Sequence, residues 1–271
     1  MRKKLVPLAV AALLTTVAGT KAVEGAESVT GVVFEDRNGD GIRQPSEAGV
    51  ANVVVSNQID AAQSAADGSF RLNGRGSGVV FVSVPRGRNV SGGFWRALPA
   101  GDTATADFGL TAAPTDSDDF TFIHASDTHI HEETVARTRG LLGVVAARKP
   151  DFMVVTGDLI RDALRVGEAD ASRLYELYVK EMKASASPVW SGPGNHENFG
   201  IERHHSLVSA KHPLFGKGMY RKYLGPNYYS FNRGKVHFIA LDTVDIDDQC
   251  RICATSMATS KFSTRSGRFV T

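Results

Sequence analysis

The chain has 271 residues, of which 42% are hydrophobic and 22% are charged, a composition typical of a globular protein with room for two domains. The formal net charge is only +2, and no dense run of Lys and Arg occurs. This balance argues against a protein that binds nucleic acids through a strongly basic surface.

Residues 1–26 have the layout of a secretory signal peptide. Basic residues at positions 2–4 precede an apolar stretch over 5–14, and small residues follow. The apolar stretch is short for a membrane span, although an uncleaved anchor is the alternative interpretation. No other segment is long and apolar enough to cross a bilayer. We therefore expect the mature protein to be exported, to a periplasm, the extracellular medium or the cell surface, without a transmembrane segment.

Residues 28–112 are predicted to form a small all-β sandwich. The candidate strands are β-branched or alternating segments at 28–34, 52–58, 68–73, 78–85 and 102–110. Turn sequences such as RNGDG and NGRGSG separate several of them, and no helical period appears. Short strands at this spacing are typical of sandwiches. A polar, proline-containing linker at 113–119 is the predicted domain boundary.

From residue 120 the pattern changes to alternating strands and helices. The predicted order is a strand at 120–126, a helix at 132–149, a strand at 151–156, a helix at 168–185 and a strand at 187–192. This alternation implies right-handed crossovers and a largely parallel sheet. A hairpin over 227–243 follows. Residues 120–248 are thus predicted to form an α/β domain, and 249–271 an irregular tail.

Polar side chains follow all three predicted parallel strands at their carboxyl ends. They are Asp127 and His129 after the first strand, Asp158 after the second, and Asn195, His196 and Glu197 after the third. Ligands of open α/β sheets gather at this edge, so we expect these side chains to converge. Carboxylate, imidazole and amide ligands suit divalent Mn, Fe or Zn. Two such ions roughly 3.5–4 Å apart can bind both the attacking and the leaving oxygen of an in-line displacement at phosphorus.

Three motifs, D-x-H at 127–129, G-D at 157–158 and G-N-H-E at 194–197, resemble in order and spacing those of calcineurin-like metallophosphoesterases. The resemblance covers about residues 119–244. It implies a partial αββα-type metallophosphoesterase sandwich and two divalent metal ions. It also implies that a metal-bound hydroxide hydrolyses a phosphomonoester or phosphodiester, with a small-molecule phosphate ester as the substrate.

The resemblance implies a role for each matching residue. Asp127 and His129 would hold the first metal ion, Asp158 would bridge both ions, and Asn195 would hold the second. His196 would lie beside the phosphate as an acid or as a stabiliser of charge.

Neighbouring residues are expected to support or surround this centre. Glu197 would orient His196 without touching the metal. His131 is interpreted as a solvated residue at the start of a helix, with substrate contact as the alternative. His204 and His205 match no family motif and are interpreted as surface or substrate-loop residues.

The family pattern continues past G-N-H-E with three more histidines, one after a later strand and then a G-H-x-H pair. The histidines that follow His196 here do not match it; they are His204, His205, His212 and His237. The tail is rich in Ser and Thr, lacks Asp and Glu, and reads as a premature or frame-shifted ending. We therefore expect a C-terminally truncated domain with weak or no activity. Substitution by His204 or His205 is the alternative.

A second motif, DRNGDGIRQPSE at 36–47, matches the calcium loop D-x-[DN]-x-[DN]-G-x5-E. Asp36, Asn38 and Asp40 take its first ligand positions, Ile42 offers a carbonyl, and Glu47 offers two oxygens. The loop and its following strand resemble the N-terminal β-sandwich of some secreted calcineurin-like phosphoesterases, and also calcium-binding repeats of bacterial surface proteins. Two interpretations stay open: a structural Ca²⁺ site, or a turn that only resembles one.

The two cysteines, Cys250 and Cys253, are spaced C-x-x-C. They are a redox pair, half of a zinc site, or incidental. For the whole chain, the leading hypothesis is an exported metal-dependent phosphoesterase. The alternative is a calcium-stabilised surface or binding module whose phosphoesterase domain is vestigial and inactive.

Overall fold

The computed structural model describes residues 27–99, 101, 103–113 and 117–244. The predicted signal peptide, the tail and both cysteines lie outside these residues, as does part of the predicted linker. Within the described ranges, no helix has both the length and the apolar character needed to cross a membrane.

The described residues contain short strands first and then alternating strands and helices. The strands are β1 (Ser28–Glu35), β2 (Val54–Ser56), β3 (Ala61–Gln63), β4 (Ser69–Asn73), β5 (Val79–Val82), β6 (Arg88–Ser91), β7 (Trp95–Ala97), β8 (Thr103–Thr105), β9 (Phe108–Ala112), β10 (Phe122–Ser126), β11 (Phe152–Thr156), β12 (Val189–Gly192), β13 (Tyr229–Arg233) and β14 (Val236–Ala240). The helices are α1 (Val135–Arg148), α2 (Glu168–Lys183), α3 (Arg203–Ser206) and α4 (Gly218–Leu224).

The strand-rich region, β1 to β9, contains two sheets. One has the order β4-β1-β9-β6, with β8 also paired to β1, and the other has the order β3-β2-β5-β7. Side chains from both sheets are buried in one hydrophobic cluster, among them Val33, Val55, Leu72, Val82 and Phe108. The core of this region is therefore formed by side chains that the alternation of each strand places on the buried face of its sheet.

The single strand predicted at 102–110 is two strands in the structure. β8 pairs with the start of β1, and β9 pairs with its end. Between them, an Asp107 carboxylate oxygen accepts the backbone N–H of Val32 at 2.8 Å, so a side chain interrupts the pairing. The sequence pattern also missed β3, β6 and β7, because strands this short show no clear alternation.

β10, β11 and β12 form a parallel sheet in that order, as the alternation of strands and helices predicts. The register aligns Ser126 with Thr156 and Thr156 with Gly192, so all three strands end in one row. On one face of this sheet, Met153 and Val155 belong to the same buried cluster as residues of α1 and α2. The two helices thus cover that face and leave the strand ends open.

Helix α2 shows why the local sequence adopts this arrangement. Its buried residues recur at helical spacing: Ala171, Leu174, Tyr175, Tyr178 and Met182. Acidic residues lie in its first turn and basic residues in its last turn, which complements the helix dipole.

Tyrosine hydroxyls secure the end of β12, which is an edge strand among the described residues. The carbonyl of Ser191 accepts hydrogen bonds from the hydroxyls of Tyr220, at 2.8 Å, and Tyr229, at 2.9 Å. The hydroxyls of Tyr178 and Ser191 are 2.8 Å apart. The bonds from Tyr220 and Tyr229 satisfy the backbone carbonyl directly before Gly192, the residue at which β12 ends.

The other face of the parallel sheet meets the hairpin β13–β14. Trp190 of β12 stacks on Phe231 of β13, with ring centroids 3.9 Å apart and an interplanar angle of 4°. Phe152, Tyr229 and Phe231 belong to the buried cluster that also contains the core of the strand-rich region. The two regions therefore share one hydrophobic core.

Polar contacts also join the strand-rich region to the hairpin β13–β14. The hydroxyls of Ser83 and Ser230 are 2.8 Å apart, and the backbone N–H of Asn232 donates to the carbonyl of Val84 at 2.9 Å. The strand-rich region supplies none of its strands to the parallel sheet among the described residues. The domain limits at 28–112 and 120–248 stay a prediction.

Candidate metal centre

The loops that leave the three parallel strands continue the hydrogen bonding of the sheet. The N–H of Gly157 donates to the carbonyl of Gly192 at 2.9 Å, and the N–H of Asp127 donates to the carbonyl of Gly157 at 3.1 Å. One step further, the N–H of His129 donates to the carbonyl of Asp158 at 2.9 Å. The predicted ligand residues are thus carried on backbone that is held in register.

Three of these residues have left-handed backbone conformations. The φ angles are 54° at Asp127, 39° at His129 and 49° at Asp158. Such angles are uncommon for residues with a Cβ and persist only where the surroundings hold them. Here the hydrogen bonds between the loops do so. Backbone strain of this kind is typical of functional sites. Among the described residues, seven other than glycine have such angles, and three of them are the motif residues named here.

The structure brings His129, Asp158 and His196 together, with one potential ligand atom from each lying within 4.8 Å of the others. The Nε2 atom of His129 is 3.6 Å from Oδ2 of Asp158. The rings of His129 and His196 meet edge to face, with centroids 4.7 Å apart. The backbone N–H of His196 donates to Oδ1 of Asp158 at 3.2 Å, so Asp158 contacts both histidines. We call these three residues the rim cluster.

The tautomer of His196 follows from its second contact. Its Nδ1 atom lies 2.6 Å from the carbonyl oxygen of Arg161. A carbonyl oxygen can only accept a hydrogen bond, so Nδ1 carries the proton. The Nε2 atom is then available to the cluster, as a lone pair on the neutral ring or as a donor on the charged ring.

A family model for calcineurin-like phosphoesterases matches residues 120–260, just over half of the chain. The chain belongs to the calcineurin-like phosphoesterase family. The prediction made from the D-x-H, G-D and G-N-H-E motifs is therefore confirmed. No curated protein matches the chain. Membership of a hydrolase family that generally binds two divalent metal ions gives the rim cluster its chemical context.

The donor set at the rim fits a divalent metal of this family. Two imidazoles and a carboxylate are ligands that suit borderline ions such as Zn²⁺, Mn²⁺ or Fe²⁺. Asp127 and Asn195 lie at the same rim and are exposed, but Asp127 is outside the three-residue group. Their roles as ligands stay a prediction from the family motifs.

Glu197 is almost fully buried beneath the rim, with 1% of its surface exposed. Its Oε1 atom accepts the backbone N–H groups of Leu159, at 2.7 Å, and Ile160, at 3.1 Å. Its Oε2 atom accepts those of Asp158, at 3.0 Å, and Gly194, at 2.6 Å. One carboxylate thus joins the loop after β11 to the loop after β12.

This arrangement differs from the expectation that Glu197 orients His196. The carboxylate orients the backbone of Asp158 instead, because its bonds go to main-chain donors on both loops. Burial raises the pKa of Glu197 to about 7, and the nearby charge of Asp158 adds to this effect. The N–H donors of Gly194 and Ile160 act in the opposite direction.

Sequence reasoning also missed a role for Asn198. This buried side chain donates through Nδ2 to the carbonyls of Gly194 and Asn195, at 3.0 Å each. It therefore shapes the turn that carries the G-N-H-E motif. The signal was a further amide residue directly after the motif, a type that stabilises turns through its own side chain.

His131 is a supporting residue and not a solvated one, because only 14% of its side chain is exposed. Its Nδ1 atom lies 2.9 Å from the carbonyl oxygen of His129 and 2.8 Å from Oγ1 of Thr134. The side chain therefore helps to hold the left-handed turn at His129.

The predicted calcium loop is closed by its own backbone. Asp36 and Glu47 are buried, and each of their carboxylate oxygens accepts a loop N–H group at 2.7–2.9 Å. Asn38 donates to Asp40 at 2.8 Å, and Ile42 is exposed. Among the described residues, the acids of this loop do not form a three-residue group with ligand atoms within 4.8 Å. Both interpretations of the motif stay open.

A cavity of about 310 Å³ lies away from the rim cluster, between the strand-rich region and the parallel sheet. Phe94, Trp190 and Phe231 are among its lining residues. It also touches Phe152 and Val189, which begin β11 and β12, whereas the rim cluster follows the ends of these strands. The cavity is therefore not part of the metal centre.

The substitution Gly194→Ala should disrupt the rim. A Cβ at this position would lie 2.4 Å from Oδ1 and 2.5 Å from the backbone N of Asp158, so the two loops would have to separate. We expect a loss of about 1–3 kcal/mol in the free energy of unfolding, together with weaker Mn²⁺ binding. Thermal unfolding and metal titration measure both. Gly192→Ala is the matched control, since its Cβ would meet nothing within 4 Å. Equal effects of the two substitutions would contradict the close contact.

The substitution Glu197→Gln should destabilise the fold, because its NH₂ group would face two backbone N–H donors that now share one oxygen. We expect a loss of about 2–4 kcal/mol, measured by urea unfolding. Glu133→Gln is the control, since the Glu133 side chain is 86% exposed. A loss no larger than that of the control would show that the loops do not depend on the carboxylate.

Proposed function

We propose that this chain is an exported, metal-dependent phosphoesterase that hydrolyses phosphomonoesters or phosphodiesters of small molecules. The observation that carries the proposal is the rim cluster, in which His129, Asp158 and His196 meet at the ends of parallel strands. Membership of the calcineurin-like phosphoesterase family supports phosphoester hydrolysis as the reaction class.

The centre is proposed to take divalent ions of the Mn, Fe or Zn class. Asp127, His129, Asp158 and Asn195 would hold them, as the family motifs imply. When bound, such ions acidify water and offset negative charge at phosphorus.

The protein groups around the centre would hold the ligand residues in place and supply a proton to the substrate. The Arg161 carbonyl keeps the proton of His196 on Nδ1 and so leaves Nε2 as the ring nitrogen with a lone pair on the neutral ring. A charged His196 would stabilise the phosphate oxygens or protonate the leaving oxygen. Glu197 keeps the two loops, and with them Asp158 and the G-N-H-E turn, at a fixed separation.

Turnover by the 271-residue chain is proposed to be weak. All eight histidines lie among the described residues, and only His129 and His196 belong to the rim cluster. His212 pairs with Glu168, at 3.2 Å, and His237 contacts Asn232, at 2.8 Å. This chain therefore offers fewer imidazoles to a two-ion centre than the family pattern contains.

The finer architecture belongs to the same proposal. Residues 28–112 would be a small β-sandwich domain, and 120–248 would belong to a metallophosphoesterase sandwich. Two sheets with one common core support the former. The basic, apolar and small-residue order of 1–26 supports export through a signal peptide.

Hydrolysis of p-nitrophenyl phosphate and bis(p-nitrophenyl) phosphate with added Mn²⁺ tests the function. We expect slow turnover that a chelator abolishes, and a loss on the order of 100-fold in Asp158→Asn, because the cluster loses its carboxylate. His212→Ala is the control and should retain the rate. A chain extended by a complete C-terminal half of the family serves as the reference for full turnover.

The outcomes separate the hypotheses. Two tightly bound ions and a rate equal to that of the extended chain would contradict the proposal of weak turnover. Hydrolysis that is unchanged in Asp158→Asn would contradict the assigned site. Metal binding without hydrolysis by either chain would support the binding-module alternative.

Calcium should raise the melting temperature of the chain if the loop at 36–47 binds it, because a ligand of the folded state stabilises that state by mass action. At a concentration of about 100 times Kd the gain is about 2.7 kcal/mol. Glu47→Gln should abolish the shift, whereas Glu133→Gln should not. No shift of the unsubstituted protein at millimolar Ca²⁺ would favour the turn interpretation.

A further inference from the structure

A second group of potential metal ligands lies on the chain beyond the G-N-H-E motif. Glu202, His204 and His205 each offer a ligand atom within 4.8 Å of the other two. The two imidazole rings have centroids 4.1 Å apart, and both side chains are exposed. We propose that these residues form an accessory site for a divalent transition-metal ion, separate from the rim cluster.

The donor set indicates which ions the site would take. Two imidazoles and one carboxylate suit Zn²⁺, Co²⁺, Ni²⁺ or Cu²⁺, whereas Ca²⁺ and Mg²⁺ prefer oxygen ligands. In tetrahedral coordination with bonds of about 2.0–2.2 Å, ligand atoms lie roughly 3.3–3.6 Å apart. Small rotations of the exposed imidazoles would close the remaining separation. Three protein ligands leave the fourth position open to water.

The carboxylate of Glu202 is already held in place. Arg165 donates to both of its oxygens, at 2.6 Å and 2.9 Å, and also contacts Asp162 at 3.1 Å. A carboxylate offers about four lone-pair positions, so one position on each oxygen is left for an ion. Arg165 lowers the conformational cost of ligation, but its charge opposes a cation. We therefore expect an ion that exchanges with solvent.

The backbone that carries the ligands is compact. The N–H of His205 donates to the carbonyl of Glu202 at 2.9 Å, and that of Ser206 donates to the same carbonyl at 3.0 Å. The hydroxyl of Ser206, which is buried, donates to the carbonyl of Gly200 at 3.0 Å. The three ligands thus share one turn whose shape does not depend on the ion.

The accessory site is connected to the rim through paired loop segments. The N–H of Ala163 donates to the carbonyl of His196 at 2.9 Å, and the N–H of Gly200 donates to that of Ala163 at 2.9 Å. The N–H of Glu202 then donates to the carbonyl of Leu164 at 3.2 Å. The turn that carries the accessory site is therefore hydrogen-bonded to the segment that follows Asp158, and that segment is hydrogen-bonded to His196.

Titration with Co²⁺ tests the proposal on the whole chain, with bound metal counted by equilibrium dialysis followed by elemental analysis, and the coordination read from the visible spectrum. The double variant His204→Ala, His205→Ala should bind one fewer equivalent than the unsubstituted protein. The variant Glu202→Gln should bind the same ion on the order of tenfold more weakly. His212→Ala is the matched control and should leave the count unchanged.

A variant of the rim, His129→Ala with Asp158→Asn, makes the two sites distinguishable. It should retain the equivalent that the double histidine variant loses. An unchanged count in His204→Ala, His205→Ala would overturn the proposal. Loss of all bound metal from the double histidine variant, with its circular dichroism unchanged, would also overturn the proposal, because the two histidines would then belong to the rim centre.

Discussion

The rim of this protein depends on the buried carboxylate of Glu197. Its four hydrogen bonds to backbone N–H groups join the loops after β11 and β12, which carry Asp158 and the G-N-H-E turn. The strand pairing ends at Thr156 and Gly192, and beyond it this side chain adds to the few backbone hydrogen bonds that join the loops. The close approach of the loops in turn requires glycine at position 194, where a Cβ would meet Asp158.

The residues at the rim with strained backbones are held by hydrogen bonds from their neighbours. Asp127, His129 and Asp158 have left-handed backbones, which cost free energy that the surrounding contacts must offset. His131 and the loop-to-loop hydrogen bonds provide such contacts. The result is a set of imidazole and carboxylate groups held at the rim by the protein's own hydrogen bonds.

The two ends of the parallel sheet have different surroundings. At the carboxyl ends, polar loops gather the rim cluster and, further along the same chain segment, the group around Glu202. Nearer the starts of the strands, Phe152 joins the hydrophobic core of the strand-rich region. The strand-rich region therefore packs where apolar surface is available and leaves the edge that carries the rim cluster open. A shared core also means that its stability and that of the α/β region are physically linked.

The sequence by itself determined the order of strands and helices over 120–192 and the hairpin at 227–243, but not the short helices α3 and α4 between them. It also named His129, Asp158 and His196, which the structure brings together. Both signals are local: α2 shows its helical period, and the motifs name their residues directly. Only the tertiary structure decided that Glu197 binds the backbone near Asp158, that 102–110 divides around Asp107, and that Phe231 shares a core with the strand-rich region. These outcomes depend on contacts between segments far apart in the chain, which no local period or motif encodes.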